Sequence, residues 1–371
     1  MKIFCTGQIG LDKYNLLADF CKKTPQGCSN ILLFPVGRKM YEEFGHEVRP
    51  GKILNKPLSE LRHTRRSVMK DAIRVVQDNQ NENIVINSHS TFRWQHGLFF
   101  AFDFDQLGEL NADTYVTLID DVHIIKGRFL QNPKYEEFKN FRLKDIIVWR
   151  EEEILTTELI ANHFNKPHYI VAREQACDIL HKLIFSPTMK KVYLSFPITR
   201  AKIIPEVWTE IEDFRKKARQ LFITFDPFAI KEKILLWQYE QQNHPPETLV
   251  KLDNGNEIKI PSEEITEIKN DIDGQIISRD FMLIERSDLL FAYIPHYPNN
   301  SSLEVSSPGL QREIDHAYSW GRFTVLIWRP TADPSVWLYK QVSCRVNSLN
   351  EALEKLKEHK FIHESELSAD S

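Results

Sequence analysis

Short apolar runs alternate with amphipathic stretches along almost the whole chain. Residues 2–6, NILLF (30–34), NIVINSH (83–89), DTYVTLID (113–120) and HYIVA (168–172) have strand length and little internal polarity. Between them the apolar spacing is helical, as at Leu16, Leu17 and Phe20 in 14–22. The stretch DIIVWREEEILTTELIANHF places Ile146, Trp149, Ile154, Leu155, Leu159 and Ile160 at positions that predict one buried face of a long amphipathic helix. Buried strands separated by helices predict an α/β domain with a parallel sheet wrapped on both sides.

The pattern breaks at Ser186, Pro187 and Thr188, between a predicted helix over 174–185 and a new strand, KVYLSF (191–196). Alternation then resumes through a helix over 207–221, FITFDP, DLLFAYIP, SSPGLQREIDHAYSWGR and FTVLIWRP. A second, smaller doubly wound parallel sheet is expected, with domains at 1–187 and 188–371. A polar segment at 230–277 interrupts the second one, and its Asn254–Gly255 pair between short alternating runs predicts a hairpin. The acidic tail ESELSADS has the composition of a fraying terminus.

Composition narrows the function more than the fold. A chain of 371 residues with 42% hydrophobic content has enough apolar surface for two cores. Its 48 basic and 52 acidic side chains leave a net charge of −4, which gives no electrostatic footprint for nucleic acid or an anionic membrane. Five cysteines form no CxxC pair, so free thiols in a reducing compartment are expected, and no zinc pattern is visible. Without a signal-peptide pattern or a membrane-length apolar run, the expectation is a soluble cytoplasmic protein.

The first chemical candidate is GQIGLDKY (7–14), on a predicted strand-to-helix turn. A Walker A loop, GxxxxGK[ST], wraps phosphates in backbone N–H groups, neutralises them with Lys and holds magnesium with its hydroxyl. Gly7, Gly10 and Lys13 keep the spacing, while Asp12 and Tyr14 replace the last Gly and the hydroxyl residue. With VINSHSTFRWQHG and LIDDVHIIKGRF followed by VWREEEI, the first 175 or so residues resemble adenylate-kinase-like P-loop nucleotide kinases. The resemblance implies a nucleotide gripped by Lys13, Arg128 and Arg150. Asn87 stands where the family's metal-anchoring carboxylate would be, so both routes to magnesium are altered together and phosphoryl transfer is disfavoured. His89 and His96 form a poor zinc pattern and read as polar residues lining a cleft. The aromatic run from Phe92 and Trp94 through Phe99, Phe100, Phe102 and Phe104 reads as core rather than as a base-stacking platform.

In the second half, polar residues gather near strand ends, where open α/β sheets bind ligands. Tyr193 lies on KVYLSF, Asp280 and Asp288 in SRDFMLIERSDLLFAYIP, and Ser307, Gly309 and Glu313 in SSPGLQREIDHA, with Glu313 near the start of a helix. This ordered set resembles the nucleoside 2-deoxyribosyltransferase family and the related 2'-deoxynucleoside 5'-monophosphate N-glycosidases. The resemblance implies Glu313 as the carboxylate beneath the sugar, Tyr193 holding it in line, and Asp280 either protonating the departing base or gripping a sugar hydroxyl. Asp288 belongs to the same implied substrate site. Ser307, Gly309 and Arg200 would meet a 5'-phosphate, and the family's shared active sites imply a homo-oligomer. Each has a duller reading: a Glu in a helix's first turns suits the helix dipole, a strand Tyr suits a core, and Asp288 suits a turn.

The expectation is a nucleotide-processing enzyme that cleaves or exchanges an N-glycosidic bond without a required cofactor. A first domain binding ATP or another nucleotide, with or without magnesium, would accompany it, in salvage or in phage defence. An active nucleotide kinase with an accessory domain and a non-catalytic nucleotide sensor are the alternatives.

Overall fold

The computed structural model describes residues 1–23, 30–45, 53–80, 82–94, 97–199, 201–252, 254–297 and 307–362. Two compact units account for them: Met1–Asp178 with Ile230–Gln275, and Ile179–Ala229 with Ile276–Ser371. Both are α/β, and each is built on a five-stranded, wholly parallel sheet.

In the first unit β1 (Lys2–Thr6), β2 (Ile31–Pro35), β3 (Asn83–Asn87), β6 (Thr114–Ile119) and β7 (His168–Ala172) lie in the order β2-β3-β1-β6-β7. β1 is almost wholly buried and β6 and β7 entirely so, as unbroken apolar runs in a covered parallel sheet should be. The core on one face gathers Phe4, Ile84, Ile86 and Tyr115 against Val68, Met69 and Ala72 of the Leu58–Asp78 helix. After β3, β4 (Thr91–Trp94) and β5 (Gly97–Phe100) form an antiparallel hairpin that the apolar pattern did not predict. The aromatics in and after it correct the expectation of a core in part: Phe100 on the hairpin and Phe104 at the start of the next helix are exposed, while Phe92 and Phe102 are partly buried against the core. Alternation in a two-stranded ribbon puts every other side chain in solvent, however apolar it is.

The Leu143–His163 helix is also not amphipathic in the expected sense. Ile146, Trp149, Ile154 and Ile160 are buried, whereas Leu155 and Leu159 are exposed, and Arg150 and Glu153 take buried places instead. Paired charges inside defeat a hydropathy pattern that assumes charges face water.

The polar segment at 230–275 packs with the first unit, although in sequence it interrupts the second. Glu232 and Glu264 explain why. Glu232 takes both ends of the buried Arg150 guanidinium, 2.5 and 3.1 Å away, and Glu264 accepts from the backbone N–H of Leu143 at 2.9 Å. Within the segment β10 (Glu247–Lys251) pairs antiparallel with β11 (Glu257–Pro261), the hairpin that the Asn254–Gly255 turn predicts.

The second unit arranges β8 (Lys191–Ser195), β9 (Ile223–Phe225), β12 (Leu289–Ile294), β13 (Phe323–Trp328) and β14 (Cys344–Val346) in the order β14-β13-β12-β8-β9. Counted within this sheet, that is the flavodoxin-like order 2-1-3-4-5. Its topological switch point, where ligands bind in such sheets, falls at the carboxyl ends of β8 and β12. No helix among the described residues is long and apolar enough to cross a membrane.

The glycines after β1 are demanded by packing alone. Gly7 has φ 131°, and a Cβ there would lie 2.4 Å from the Leu118 carbonyl oxygen; one at Gly10, φ 93°, would lie 2.7 Å from Ile125 and Phe129. Neither glycine therefore needs a phosphate to explain it. Gly7→Ala combines a disfavoured backbone conformation with a contact against immovable backbone, so it should destabilise the first unit by at least about 2 kcal/mol. Urea unfolding of wild type and variant measures this, and equal midpoints would contradict it.

Candidate functional site

Four polar side chains converge near the switch point of the second sheet. Tyr193 and Ser195 are two residues apart on β8, so they face the same side of the sheet. The Pro308–Ser319 helix brings Glu313 over them: the Tyr193 hydroxyl donates to Oε1 at 3.1 Å, and the Ser195 hydroxyl donates to Oε2. Asp280, buried on the Lys269–Glu285 helix, lies close enough for its charge to act on Glu313 and Tyr193.

Burial governs the electrostatics here. It pushes the Glu313 carboxyl up to about 8, helped by the charge of Asp280, while the two hydroxyl donors pull it back part of the way. Asp280 is likewise pushed up by burial, to about 6, against the lowering effect of Arg279, whose guanidinium lies 3.3 Å from Oδ1. The Tyr193 phenol is held well above its ordinary value, first by burial and then by the two carboxylates. Such a pair titrates as a unit and holds about one proton near neutral pH.

The site thus unites Tyr193, Asp280 and Glu313, and it adds Ser195, Arg279 and Asp226. Asp226 follows β9; its carboxylate is held by Arg215 and Arg219, each at 2.7 Å, and its charge bears on Asp280. Ser195 was legible from the period-2 spacing after Tyr193. Arg279 and Asp226 left no sequence signal, since only tertiary packing brings them in.

Asp288 is a correction. It precedes β12 at the amino ends of the strands, where it accepts from the backbone N–H of Lys191 at 2.8 Å while its own N–H donates to the Lys191 carbonyl. That is the opposite end of the sheet from the site. Ser307 is the N-cap of the Glu313 helix, its hydroxyl accepting from Leu310 N–H at 3.4 Å. At Gly309 a Cβ would meet only the Ser307 hydroxyl oxygen, at an ordinary 3.5 Å, so packing gives no reason for glycine there. Arg200 lies outside the described residues, as do His96 and the acidic tail.

In the first unit Lys13 opens the helix after the glycine loop and is buried, its ammonium donating to the carbonyls of Gly7 and of Ser88, the latter at 2.7 Å. Burial pushes it down to about 8, against the pull of Glu153. Glu153, missed in the sequence, is fully buried and accepts from the N–H and hydroxyl of both Ser90 and Thr91. Burial alone would raise it, but the His89 and Ser90 hydrogen bonds and the charges of His89 and Lys13 together bring it down to about 2. Arg128 ties the loop, donating to the Gly10 carbonyl at 2.9 Å while paired with Asp120 at 2.7 Å. Arg150 is a second correction to the expected phosphate grip, because Glu232 and Gln275 occupy its guanidinium. A cavity of about 920 Å³ opens beside the loop, bordered by Gly10, Lys13, Asn87, Met40 and Trp149.

No protein-family model matches the chain, and no curated protein matches it. Among solved structures, a shikimate kinase from Bacteroides thetaiotaomicron is similar at 16% identity over 49% of this chain and 97% of its own, with a TM-score of 0.33. The likeness is too slight to assign a fold, whereas the strand order of each sheet defines one directly.

The raised carboxyls make a stability prediction. Their ordinary values are 4.5 for Glu313 and 3.8 for Asp280, so the folded state binds more protons than the unfolded chain between about pH 4 and 8. The pair's contribution to stability therefore falls as pH rises through that window. Glu313→Gln removes the larger share, so the variant should melt above wild type near pH 8, with the gap closing toward pH 4. A gap that does not change with pH would contradict the assignment.

Proposed function

We propose that the second unit cleaves or transfers the N-glycosidic bond of a nucleotide or deoxynucleotide. The observation that carries this is the Glu313 carboxylate, held on both oxygens by Tyr193 and Ser195 beside a second buried carboxyl at the switch point. Two carboxyl groups sharing one proton are what the reaction requires.

In this mechanism the pair's one proton, which the ligand-free site holds mainly on Glu313, passes to Asp280 as the substrate binds. A Glu313 oxygen then attacks the anomeric carbon as the bond from that carbon to the base nitrogen breaks. The bonding pair leaves with the base, which takes a proton from Asp280. Water, or the nitrogen of a second base, then attacks the anomeric carbon, releasing Glu313 and returning a proton to Asp280. Tyr193 and Ser195 keep the carboxylate aligned. Gly309, small without a packing reason, leaves room for a 5'-phosphate to approach its own backbone N–H at the start of the Glu313 helix, an end that favours an anion.

For the first unit we propose ligand binding without phosphoryl transfer. The two positions expected to serve magnesium do not suit it: the Tyr14 hydroxyl accepts from Arg38, and Asn87 offers an amide in place of a carboxylate.

Activity should follow the singly protonated carboxyl pair. The profile of kcat/KM against pH should be a bell with limbs near 6 and 8, the values to which Asp280 and Glu313 are pushed. Glu313→Ala should slow base release at least ~100-fold while leaving the fold intact. Chromatographic assay of free base from deoxynucleoside monophosphates checks both. A flat profile from pH 5 to 9, or unchanged turnover in the variant, would remove the pair from the mechanism.

A further inference from the structure

The walls of the first unit's cavity carry three buried polar side chains that lack hydrogen-bond partners. Gln8, 2% exposed, has neither its amide nitrogen nor its amide oxygen bonded. Trp149, fully buried, has an unbonded indole N–H. Arg65, 5% exposed on the Leu58–Asp78 helix, has an unbonded guanidinium nitrogen and forms no ion pair among the described residues. All three line the same cavity of about 920 Å³.

Arg65 is the decisive member. The carboxylate whose charge bears on it is Asp103, which raises its proton affinity but forms its ion pair with Arg66, at 3.1 Å. Burial outweighs that help and pushes Arg65 down to about 9. A desolvated, unpaired guanidinium is strongly unfavourable unless something else supplies the missing anion. By contrast, the Lys13 ammonium already bonds two carbonyl oxygens, and Arg150 already has Glu232. Val36, Met40, Leu61 and Phe92 add apolar wall, and the charged residues Asp12, Arg38, Glu42 and Lys134 also border the cavity.

We propose that this cavity binds a small organic anion, without metal, whose phosphate or carboxylate pairs with Arg65 and whose ring lies against the apolar wall, within reach of the Gln8 amide and the Trp149 N–H. The site is distinct in its chemistry from the glycine loop: its anion is held by a fork on the Leu58–Asp78 helix, not by loop N–H groups and Lys13. It rests on the reading of the first unit as a ligand-binding unit, and it names the side chain that selects the ligand.

The test uses the full chain with EDTA present. AMP and dCMP serve as phosphate probes, benzoate as a ring carboxylate and ATP in parallel, each followed by calorimetry and by thermal melting. Wild type should bind at least one of the small anions, and Arg65→Met should weaken that binding at least ~10-fold. Binding of AMP or dCMP alone assigns a phosphate, and binding of benzoate alone a carboxylate. Since the ligand-free chain carries an unpaired buried charge, Arg65→Met should melt no lower than wild type without ligand; Gln8→Ala should weaken the same anion while leaving the fold intact. No small-anion binding, binding indifferent to Arg65, or a ligand-free Arg65→Met that melts well below wild type would each overturn the proposal. ATP binding without small-anion binding would sink the cavity site alone. Small-anion binding through Arg65 without ATP binding would keep the site and retire the loop as a nucleotide site.

Discussion

A buried carboxylate must be paid for in hydrogen bonds or in protons, and the contrast between Glu153 and Glu313 follows from that constraint. Glu153 receives four donors from Ser90 and Thr91, with His89 and Lys13 beside it, and is brought down to about 2. Burial and the neighbouring Asp280 charge push Glu313 up to about 8, because the two hydroxyls it receives offset only part of that cost. The first is fully satisfied and fixes the chain after β3 to the Leu143–His163 helix. The second is left near its switching point at the end of a parallel sheet, where reactive groups are expected.

The same reasoning separates scaffold from chemistry elsewhere. Arg150 and Glu232 fasten a segment that interrupts the second unit in sequence onto the first, and this pairing takes Arg150 away from any phosphate. Gly7 and Gly10 are fixed by contacts with Leu118, Ile125 and Phe129. Gly309 and Arg65 are the reverse case. Nothing in the packing calls for a glycine at 309, and no carboxylate among the described residues forms an ion pair with Arg65. Features that the fold does not account for are the ones on which a ligand reading stands.

Much of the architecture was legible because buried parallel strands are unbroken apolar runs. The runs at 2–6, 83–89, 113–120, 168–172, 191–196 and 323–328 all carry strands close to the expected bounds. The β4–β5 hairpin was hidden by its aromatics, and the buried face of the Leu143–His163 helix was hidden by Arg150 and Glu153, because hydropathy cannot see partners supplied from elsewhere in the chain. In the second unit Tyr193, Asp280 and Glu313 could be chosen together because motif order carries spatial meaning in an alternating α/β chain. Asp288 was misplaced because a residue next to a strand can lie at either end of the sheet, and only the carboxyl end faces the switch point.

The central claim, that Glu313 acts directly on the anomeric carbon of a nucleotide, is tested most directly by acid-quenching the full chain during reaction with a deoxynucleoside 5'-monophosphate and mapping the protein by peptide mass spectrometry. The account predicts free base in solution together with a deoxyribose-phosphate adduct on Glu313. Base release with the adduct on another residue, base release with no adduct, or no base release from any deoxynucleoside monophosphate would contradict it.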